Sequence, residues 1–377
     1  MRVVFAAIPA YGHLYPLIPL AQAFRDAGHD VVVATGRPML DRMPLPTVNA
    51  WASDMGLSEV ETEAARRHPD AEGMDVGVAI FADVAAGVYA PALIAEFESR
   101  RPDLVIFEGT CLGAGIAASV HDIPAVAFGI GMRWEPFGPA LVEMALRIQE
   151  PNWTARQLTP PRPETFAAGW LDPVPPGWSG PSGCPWPAHP IRTTAWSNGG
   201  VLPGFLDKVP SGRPRAYVTL GTVSFGAVAA LRQAVVETAE VADVLVAIGP
   251  DGDPAALGEL PAGVHLERFV AQHLVLPKVD VAVHHGGTGT VLGALAAGIP
   301  QVLMPQGADQ FANAGRLAEL GAGRSLFGPP EPGAVRDAVS GVLGDSPERA
   351  RTAGLAAEIA AMPAPADVVA DLVAITR

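Results

Sequence analysis

The hydrophobic positions of this chain form short apolar runs that alternate with stretches of helical periodicity. Near the start, the apolar run Met1–Ile8 precedes the helical pattern Leu17–Ala27, which is followed by the apolar run Asp30–Thr35. This strand–helix–strand order is typical of a parallel sheet covered by helices. The same reasoning predicts strands at Asp103–Phe107 and Pro124–Phe128, and helices at Val76–Arg100, with an interruption near Pro91, and at Leu112–His121.

The pattern weakens twice along the chain. Residues 42–75 predict only loops and short elements, and residues 150–214 are crowded with prolines and tryptophans, with 205–214 as the predicted linker. The β/α pattern then restarts, with strands predicted at Arg215–Leu220, Val244–Ile248, Val264–Arg268, Val281–Val283 and Gln301–Met304, and helices at Ala227–Ala239, Val291–Ala297, Ala312–Leu320, Gly333–Leu343 and Glu348–Ala361.

We therefore predict an α/β protein with two Rossmann-like β/α/β domains, residues 1–204 and 215–360, facing each other across a cleft. Two domains are expected because 377 residues exceed what a single hydrophobic core usually serves. Ligands of such domains bind where the carboxyl ends of the strands meet. The tail, residues 361–377, is expected to pack back toward the first domain.

Composition narrows the classes of partner. The net charge of −14 argues against a nucleic acid or an anionic membrane. No apolar run looks long enough to span a bilayer and no basic segment precedes the first apolar run, so we expect a cytoplasmic protein. The two cysteines, Cys111 and Cys184, provide neither a disulfide framework nor zinc spacing.

The glycine-rich segment His284–Thr290 follows the predicted strand Val281–Val283 and precedes a helix of small residues. Glycines at such a turn let backbone N–H groups at a helix N-terminus approach a ligand, and the helix dipole favours negative charge there. We interpret this segment as a phosphate cradle. The first strand instead ends in a turn with the single glycine Gly12, which argues against a dinucleotide-binding oxidoreductase.

His13 and Glu108 each follow a predicted strand of the first domain. His13 would face the cleft, where a neutral imidazole can accept a proton, although it could equally cap the helix or pack in its loop. Glu108 is the candidate partner that fixes the tautomer of a general-base histidine, with a solvated carboxylate as the equal alternative.

Three further groups of polar residues allow several roles. His284 and His285 project to opposite sides of a strand end, so we expect one ring to bind phosphate and the other to pack, without a shared metal. The segment from Asp251 to Asp253 resembles a metal-binding D-x-D sequence, but turn chemistry explains it. Asp309 and Gln310 suit recognition of sugar hydroxyls, and Asp309 could also cap a helix.

Six motifs resemble the family-1 glycosyltransferases of the GT-B fold, especially the actinobacterial enzymes that modify antibiotic aglycones. They extend over nearly the whole chain, and the series from Phe269 to Asn313 is highly specific in its order. The motifs are Gly12-His13-Leu14-Tyr15-Pro16, Leu220-Gly221-Thr222, Phe269-Val270-Ala271-Gln272, His284–Thr290, Gly298-Ile299-Pro300-Gln301 and Ala308-Asp309-Gln310 with Asn313.

The resemblance implies an inverting, metal-independent transferase that needs no cofactor besides its nucleotide-diphosphate sugar. His13, oriented by Glu108, would deprotonate the acceptor hydroxyl, although the family commonly has aspartate in place of Glu108. The residues implied in donor binding are Gly12, Thr222, Ser224, Phe269, Val270, Gln272, His284, Gly286, Gly287, Thr288, Gly289, Thr290, Asp309 and Gln310. By this resemblance, His284 and the turn Gly287–Thr290 would hold the diphosphate, with help from Thr222 and Ser224.

The expected donor is a dTDP-deoxysugar, favoured over a uridine donor by the resemblance alone. The acceptor is expected to be a hydrophobic aglycone in a pocket shaped by Trp134, Phe137 and the segment Trp153–Trp186. Two alternatives stay open, an inactive auxiliary protein of the same fold and a nucleotide-sugar epimerase. The sequence leaves open the aglycone, attack by oxygen or carbon, the need for an auxiliary partner, and the oligomeric state, including a homodimer.

Overall fold

The computed structural model describes residues 1–51, 56–131, 137–179, 184–207, 212–221, 228–249 and 252–376, without the side chains of Phe137 and Asp207. The chain divides into two compact units. Unit 1 contains Met1–Pro173, Ser179–Arg192 and Pro363–Arg377, and unit 2 contains Val174–Trp178 and Thr193–Met362.

The core of unit 1 is built on a parallel sheet of seven strands in the order β3-β2-β1-β4-β5-β6-β7. Its central strands are buried along almost their whole length, as expected for a sheet covered on both faces. The strands are β1 (Arg2–Ala6), β2 (Asp30–Thr35), β3 (Thr47–Asn49), β4 (Leu104–Glu108), β5 (Ala125–Phe128), β6 (Gly169–Asp172) and β7 (Ala188–Pro190).

The helices of unit 1 confirm the predicted pattern at Ile18–Asp26 and Leu112–Val120. The other α-helices of this unit are Tyr11–Leu14, Arg37–Leu40, Leu57–Arg67, Met74–Val78, Ala86–Ser99, Phe137–Ile148, Pro151–Thr154 and Val369–Ala374. Single 3₁₀ turns lie at Tyr15–Leu17 and Pro163–Thr165, and a one-turn helix, Pro176–Ser179, crosses the division between the units.

The predicted interruption near Pro91 is wrong. Pro91 lies inside the helix Ala86–Ser99, and the irregular part is a π-helical stretch, Ala79–Ala85, about two turns earlier. There the carbonyl of Asp83 accepts a hydrogen bond from the side chain of Gln149 at 3.2 Å. An inserted side-chain contact of this kind accompanies departures from α-helical geometry.

The combined helix Met74–Ser99 also corrects the expectation that no apolar segment could span a bilayer. Of the described residues, this helix alone is long and apolar enough by length and composition, and 61% of its most apolar 18-residue stretch is buried inside the protein. Tyr89, Leu93 and Phe97 belong to the core of unit 1. Packing within that core therefore accounts for its apolar character.

Several elements of unit 1 were missed in the stretches where the pattern weakens. Residues 42–75 contain β3 and the helix Leu57–Arg67, of which only Val60 and Ala64 are buried. Residues 150–214 contain the short strands β6 and β7. Trp153, Trp170, Trp178 and Trp186 are all buried in the cores. That the segment Trp153–Trp186 shapes an acceptor pocket stays a prediction.

Unit 2 contains a parallel sheet of six strands in the order β10-β9-β8-β11-β12-β13. Alternate residues are buried on opposite faces: Ala216 and Val218 join one hydrophobic cluster, whereas Tyr217 joins another. The strands are β8 (Arg215–Thr219), β9 (Asp243–Ala247), β10 (Val264–Glu267), β11 (Val281–His284), β12 (Gln301–Leu303) and β13 (Gly323–Ser325).

The helices of unit 2 lie where the periodicity predicts them, with two short additions. The α-helices are Gly204–Asp207, Val228–Ala239, Gln272–Val275, Thr288–Ala296, Gln310–Glu319, Ala334–Val342 and Pro347–Ala361, and the 3₁₀ turns are Pro254–Leu257 and Leu276–Lys278. The first of these helices overlaps the start of the predicted linker 205–214, and its Leu206 is buried in a cluster with Tyr217 and Leu245. Residues 193–207 therefore belong to unit 2, which corrects the predicted end of the first domain at residue 204.

The strand order reverses direction at one point in each sheet. In unit 1 this point lies between β1 and β4, and in unit 2 it lies between β8 and β11. Chain segments leaving two such strands separate to opposite faces, which leaves a crevice at their carboxyl ends. A ligand-binding site is therefore expected among the residues that follow these four strands.

Glu237 provides a buried charge that fixes a helix start in unit 2. Its carboxylate accepts hydrogen bonds from the backbone N–H groups of Gly333 and Val335, at 3.0 and 2.9 Å, and from the side chain of Gln233 at 2.9 Å. Burial by itself would raise the pKa of Glu237, but these bonds and one from the Arg336 amide outweigh it and lower the pKa. The charged carboxylate thus stabilises the start of the helix Ala334–Val342.

We expect Glu237→Gln to lower the free energy of unfolding by about 1–3 kcal/mol at neutral pH, because charge-assisted hydrogen bonds are lost. A lowered pKa means that the wild-type contribution is present above the pKa of an unfolded glutamate and is lost as the pH falls through the folded value. The difference between the two proteins in urea unfolding should therefore shrink in acid.

Glu240→Gln is the matched control, since the Glu240 side chain forms an exposed pair with Arg336 at 3.3 Å. It should change stability by less than about 0.5 kcal/mol. Equal effects of the two substitutions would contradict the capping role of Glu237.

Candidate active site

In unit 1, His13 and Glu108 come together at the crevice between β1 and β4. His13 lies in the one-turn helix after β1, Glu108 is the last residue of β4, and His13 Nδ1 lies 3.0 Å from Glu108 Oε2. The Glu108 side chain is 0% exposed and that of His13 is 18% exposed. Because a carboxylate only accepts, the imidazole carries a proton on Nδ1, and its Nε2 keeps a lone pair that can accept a proton.

Thr110 belongs to the same cluster and was missed by the sequence analysis. Its backbone N–H donates to Glu108 Oε1 at 2.7 Å, and its Oγ1 lies 2.8 Å from each carboxylate oxygen and 3.2 Å from His13 Nδ1. The only signal available in the sequence was a hydroxyl residue two positions after an acidic strand end. That signal is weak, since threonine is common in turns.

Phe81 forms an apolar wall beside the histidine. Its ring centroid lies 5.7 Å from that of His13, with the rings tilted by 47°. Phe81 projects from the π-helical stretch, which is anchored two residues later by Asp83 through contacts to Arg67 at 2.9 Å and His68 at 2.8 Å. At the neighbouring Gly12, a Cβ would meet no described atom within 4 Å.

In unit 2, the structure corrects the predicted phosphate-binding role of His284. The residue is 0% exposed, its Nδ1 accepts from the Gly286 N–H at 3.1 Å, and its Nε2 lies 2.9 Å from Gln301 Oε1. Burial, and then the adjacent His285, lower the pKa of His284 to about 3. His284 is therefore a neutral residue that is buried in unit 2, with both ring nitrogens engaged in contacts that hold the turn.

His285 fills the space between two glycine turns. A Cβ at Gly221 would lie 2.8 Å from the His285 ring, and one at Gly287 would lie 2.4 Å from its Nε2. Burial lowers the pKa of His285, against the opposing effects of Asp309 and the Thr219 carbonyl. The rings of His284 and His285 stand 6.2 Å apart at 78°, and no cluster of three or more metal-ligating side chains occurs among the described residues.

The helix Thr288–Ala296 begins with unpaired backbone donors. Thr290 and Val291 both donate to the carbonyl of Gly287, whereas no described group accepts from the N–H of Thr288 or Gly289. No side chain caps this helix start, and a Cβ at Gly289 would meet nothing within 4 Å. Two open N–H groups at the positive end of a helix dipole form a site suited to an anion.

Asp309 is held by the first residue of this helix. Thr288 Oγ1 donates to Asp309 Oδ2 at 2.7 Å, and Asn313 Nδ2 donates to the same oxygen at 3.1 Å and to the Gly286 carbonyl at 2.8 Å. Asn313 therefore ties the turn after β11 to the turn after β12, a role that its place in the motif did not reveal. Asp309 Oδ1 takes no part in these bonds.

Gln310 fixes the turn that precedes it. Its Oε1 accepts from the backbone N–H groups of Gln306 and Gly307, at 2.8 and 3.2 Å, and the residue is only 4% exposed. The NH₂ group of its side-chain amide takes no part in these two bonds. Asp309 and Gln310 thus each present one polar group beside the helix start.

The residues predicted to bind the base differ in exposure. Phe269 is 45% exposed, whereas Val270 is buried. Gln272 contacts the hydroxyls of Tyr217 at 3.2 Å and Thr290 at 3.3 Å, so its side chain is already engaged within unit 2. Of the remaining predicted residues, Trp134, Thr222, Ser224, Asp251 and the side chain of Phe137 lie outside the described part of the chain.

Comparisons with known proteins identify the family of this chain. Residues 232–375 match the family model described as erythromycin biosynthesis protein CIII-like, C-terminal domain. The chain is 32% identical to L-demethylnoviosyl transferase of Streptomyces niveus, covering 100% of this chain and 99% of that protein. It is 34% identical to the elloramycin glycosyltransferase of Streptomyces olivaceus, covering 99% and 97%.

Its fold also matches that of a Streptomyces glycosyltransferase, SsfS6, in complex with thymidine diphosphate. The TM-score is 0.80 at 25% identity, over 99% of each chain. The two parallel-sheet units define a glycosyltransferase of the GT-B fold. The chain belongs to the family of actinobacterial antibiotic glycosyltransferases that depend on nucleotide sugars.

We expect His284→Ala to destabilise the free protein by about 2–4 kcal/mol, because it leaves the buried amides of Gly286 and Gln301 without partners. The measurement is chemical unfolding without ligand. His273→Ala, which removes an exposed imidazole from the same unit, is the control and should have little effect. Unchanged stability of the His284 variant would contradict its assignment as a structural residue.

Proposed function

We propose that this protein is an inverting, metal-independent glycosyltransferase that moves a deoxysugar from dTDP to a hydroxyl of a hydrophobic natural-product aglycone. The observation that carries the proposal is the contact of His13 Nδ1 with the buried carboxylate of Glu108, which leaves Nε2 as a proton acceptor. A tautomer fixed in this way is what a general base needs.

In the proposed reaction, His13 Nε2 takes the proton from the acceptor hydroxyl as its oxygen bonds to the anomeric carbon. The bond from that carbon to the diphosphate breaks on the opposite face, so the configuration inverts. Glu108 then stabilises the imidazolium that forms. Phe81 offers an apolar surface beside the ring, which suits a hydrophobic aglycone. Trp134 and Phe137 remain predictions for acceptor binding.

The departing diphosphate gains negative charge, and unit 2 offers the groups to stabilise it. The open N–H groups of Thr288 and Gly289 and the dipole of their helix are aligned before reaction, so little reorganisation is needed. This is the basis for proposing that no divalent metal and no cofactor take part. Asp309 Oδ1 and the Gln310 amide would bind sugar hydroxyls, and exposed Phe269 would stack on the base.

The proposal of a thymidine nucleotide is supported by a relative. SsfS6, which shares the fold over 99% of each chain, has been crystallised with thymidine diphosphate. The proposal of a natural-product acceptor is supported by the names of the family and its members, erythromycin biosynthesis and elloramycin glycosyltransferase.

Thymidine diphosphate should raise the thermal unfolding midpoint, since a ligand that binds only the folded state stabilises it. Uridine and guanosine diphosphates should raise it less, and thymidine monophosphate should have little effect because it lacks the second phosphate. The shift should persist in EDTA. A shift that required magnesium would instead favour a metal site at Asp251 and Asp253, and no shift with any nucleotide would favour an auxiliary protein.

His13→Ala should lower turnover by about 100-fold or more, the size expected for a lost general base. Thymidine diphosphate affinity, measured by calorimetry, should stay within about twofold, because no donor contact is assigned to this imidazole. A large loss of nucleotide affinity with preserved turnover would overturn the assignment.

A further inference from the structure

The Thr110 side chain contacts both members of the His13–Glu108 pair. Its hydroxyl lies 2.8 Å from each carboxylate oxygen of Glu108 and 3.2 Å from His13 Nδ1. The residue is 4% exposed, so water does not compete for these contacts. A hydroxyl has a single hydrogen and two lone pairs, so it can donate to one partner while it accepts from another.

Only one placement of the hydrogens satisfies the Thr110 hydroxyl, the Glu108 carboxylate and the His13 ring together. The carboxylate has no proton to give, so the hydroxyl hydrogen points to Glu108. The lone pairs of Oγ1 then face His13 Nδ1, as does the lone pair of Glu108 Oε2. An unprotonated Nδ1 would bring three lone pairs together, whereas a protonated Nδ1 donates to both oxygens. The hydroxyl therefore favours the proton on Nδ1 and leaves Nε2 free of it.

The same residue also fixes the carboxylate itself. A glutamate side chain has three rotatable bonds, and holding it in one place costs conformational entropy. The backbone N–H of Thr110 donates to Glu108 Oε1 at 2.7 Å, and the hydroxyl adds a second contact from the same residue. Thr110 thus orients the carboxylate before any substrate is present.

We propose that Thr110 is a positioning residue of the transferase, whose hydroxyl locks both the carboxylate of Glu108 and the Nδ1–H tautomer of His13. The inference rests on the proposed function for its catalytic consequence. The tautomer, however, is a property of the protein without substrate, so it can be tested separately.

The test compares Thr110→Val, which removes the hydroxyl but keeps the shape, with Thr110→Ser, which keeps the hydroxyl. The ¹⁵N spectrum of the His13 ring, assigned by its loss in a His13→Gln variant, reports which nitrogen carries the proton. We expect wild type and the serine variant to show Nδ1–H. The valine variant should show a mixture of both tautomers, because without the hydroxyl the Glu108 carboxylate is no longer held against Nδ1 of His13.

Turnover is measured with TDP-rhamnose and a hydroxyanthraquinone, a flat apolar phenol, as probes. We expect Thr110→Val to lower kcat by about tenfold, a fraction of the full effect of a general base, with both KM values within about twofold. Thr110→Ser should stay within about twofold of wild type. Thr238→Val is the matched control, since Thr238 is a buried threonine of unit 2 whose hydroxyl has no partner among the described residues.

The proposal is overturned if Thr110→Val keeps a pure Nδ1–H tautomer, or if Thr110→Ser changes the tautomer and kcat as much as Thr110→Val does. Should the valine variant not fold, Thr110→Ala replaces it in the same comparison. If wild type transfers no sugar to any acceptor, the proposed function fails, while the ¹⁵N spectra still decide the role of Thr110.

Discussion

The buried carboxylate of Glu108 is the constraint on which the arrangement of unit 1 depends. An ionised group that is 0% exposed must find hydrogen-bond donors inside the protein, because an unpaired charge in that place would be very costly. The donors present are the N–H and hydroxyl of Thr110 and the ring of His13. Satisfying the charge therefore also aligns the imidazole.

Unit 2 also has a buried polar side chain at the end of a central strand, and there it is a histidine. The last residue of β11, His284, is fully buried like Glu108, the last residue of β4. Each of the two side chains accepts a hydrogen bond from a backbone N–H two residues further along the chain. Its Nδ1 accepts the Gly286 N–H, where the backbone has a positive φ of 92° that glycine tolerates. In both sheets a hidden polar group at the strand end orients the groups that the loop exposes.

The sequence predicted most of this fold because long elements carry a clear period. It missed β3, β6, β7 and β13, which have only three or four residues each. It also missed the helices Leu57–Arg67, which buries two side chains, and Phe137–Ile148. His13 and Glu108 could be proposed as partners because each follows a predicted parallel strand of the same domain. The sequence could not decide the separate surroundings of His284 and His285. These depend on Gln301 of β12, which contacts His284, and on Gly221 after β8, which lies beside the His285 ring.

The wedged ring of His285 links two positions that are 66 residues apart in the chain, Gly221 and Gly287. Any side chain at either position would push against the same imidazole. Substitutions there should therefore not be additive, since a smaller residue at position 285 would relieve both at once. Residues 221, 285 and 287 are therefore coupled, so a substitution at either glycine needs a matching change at position 285.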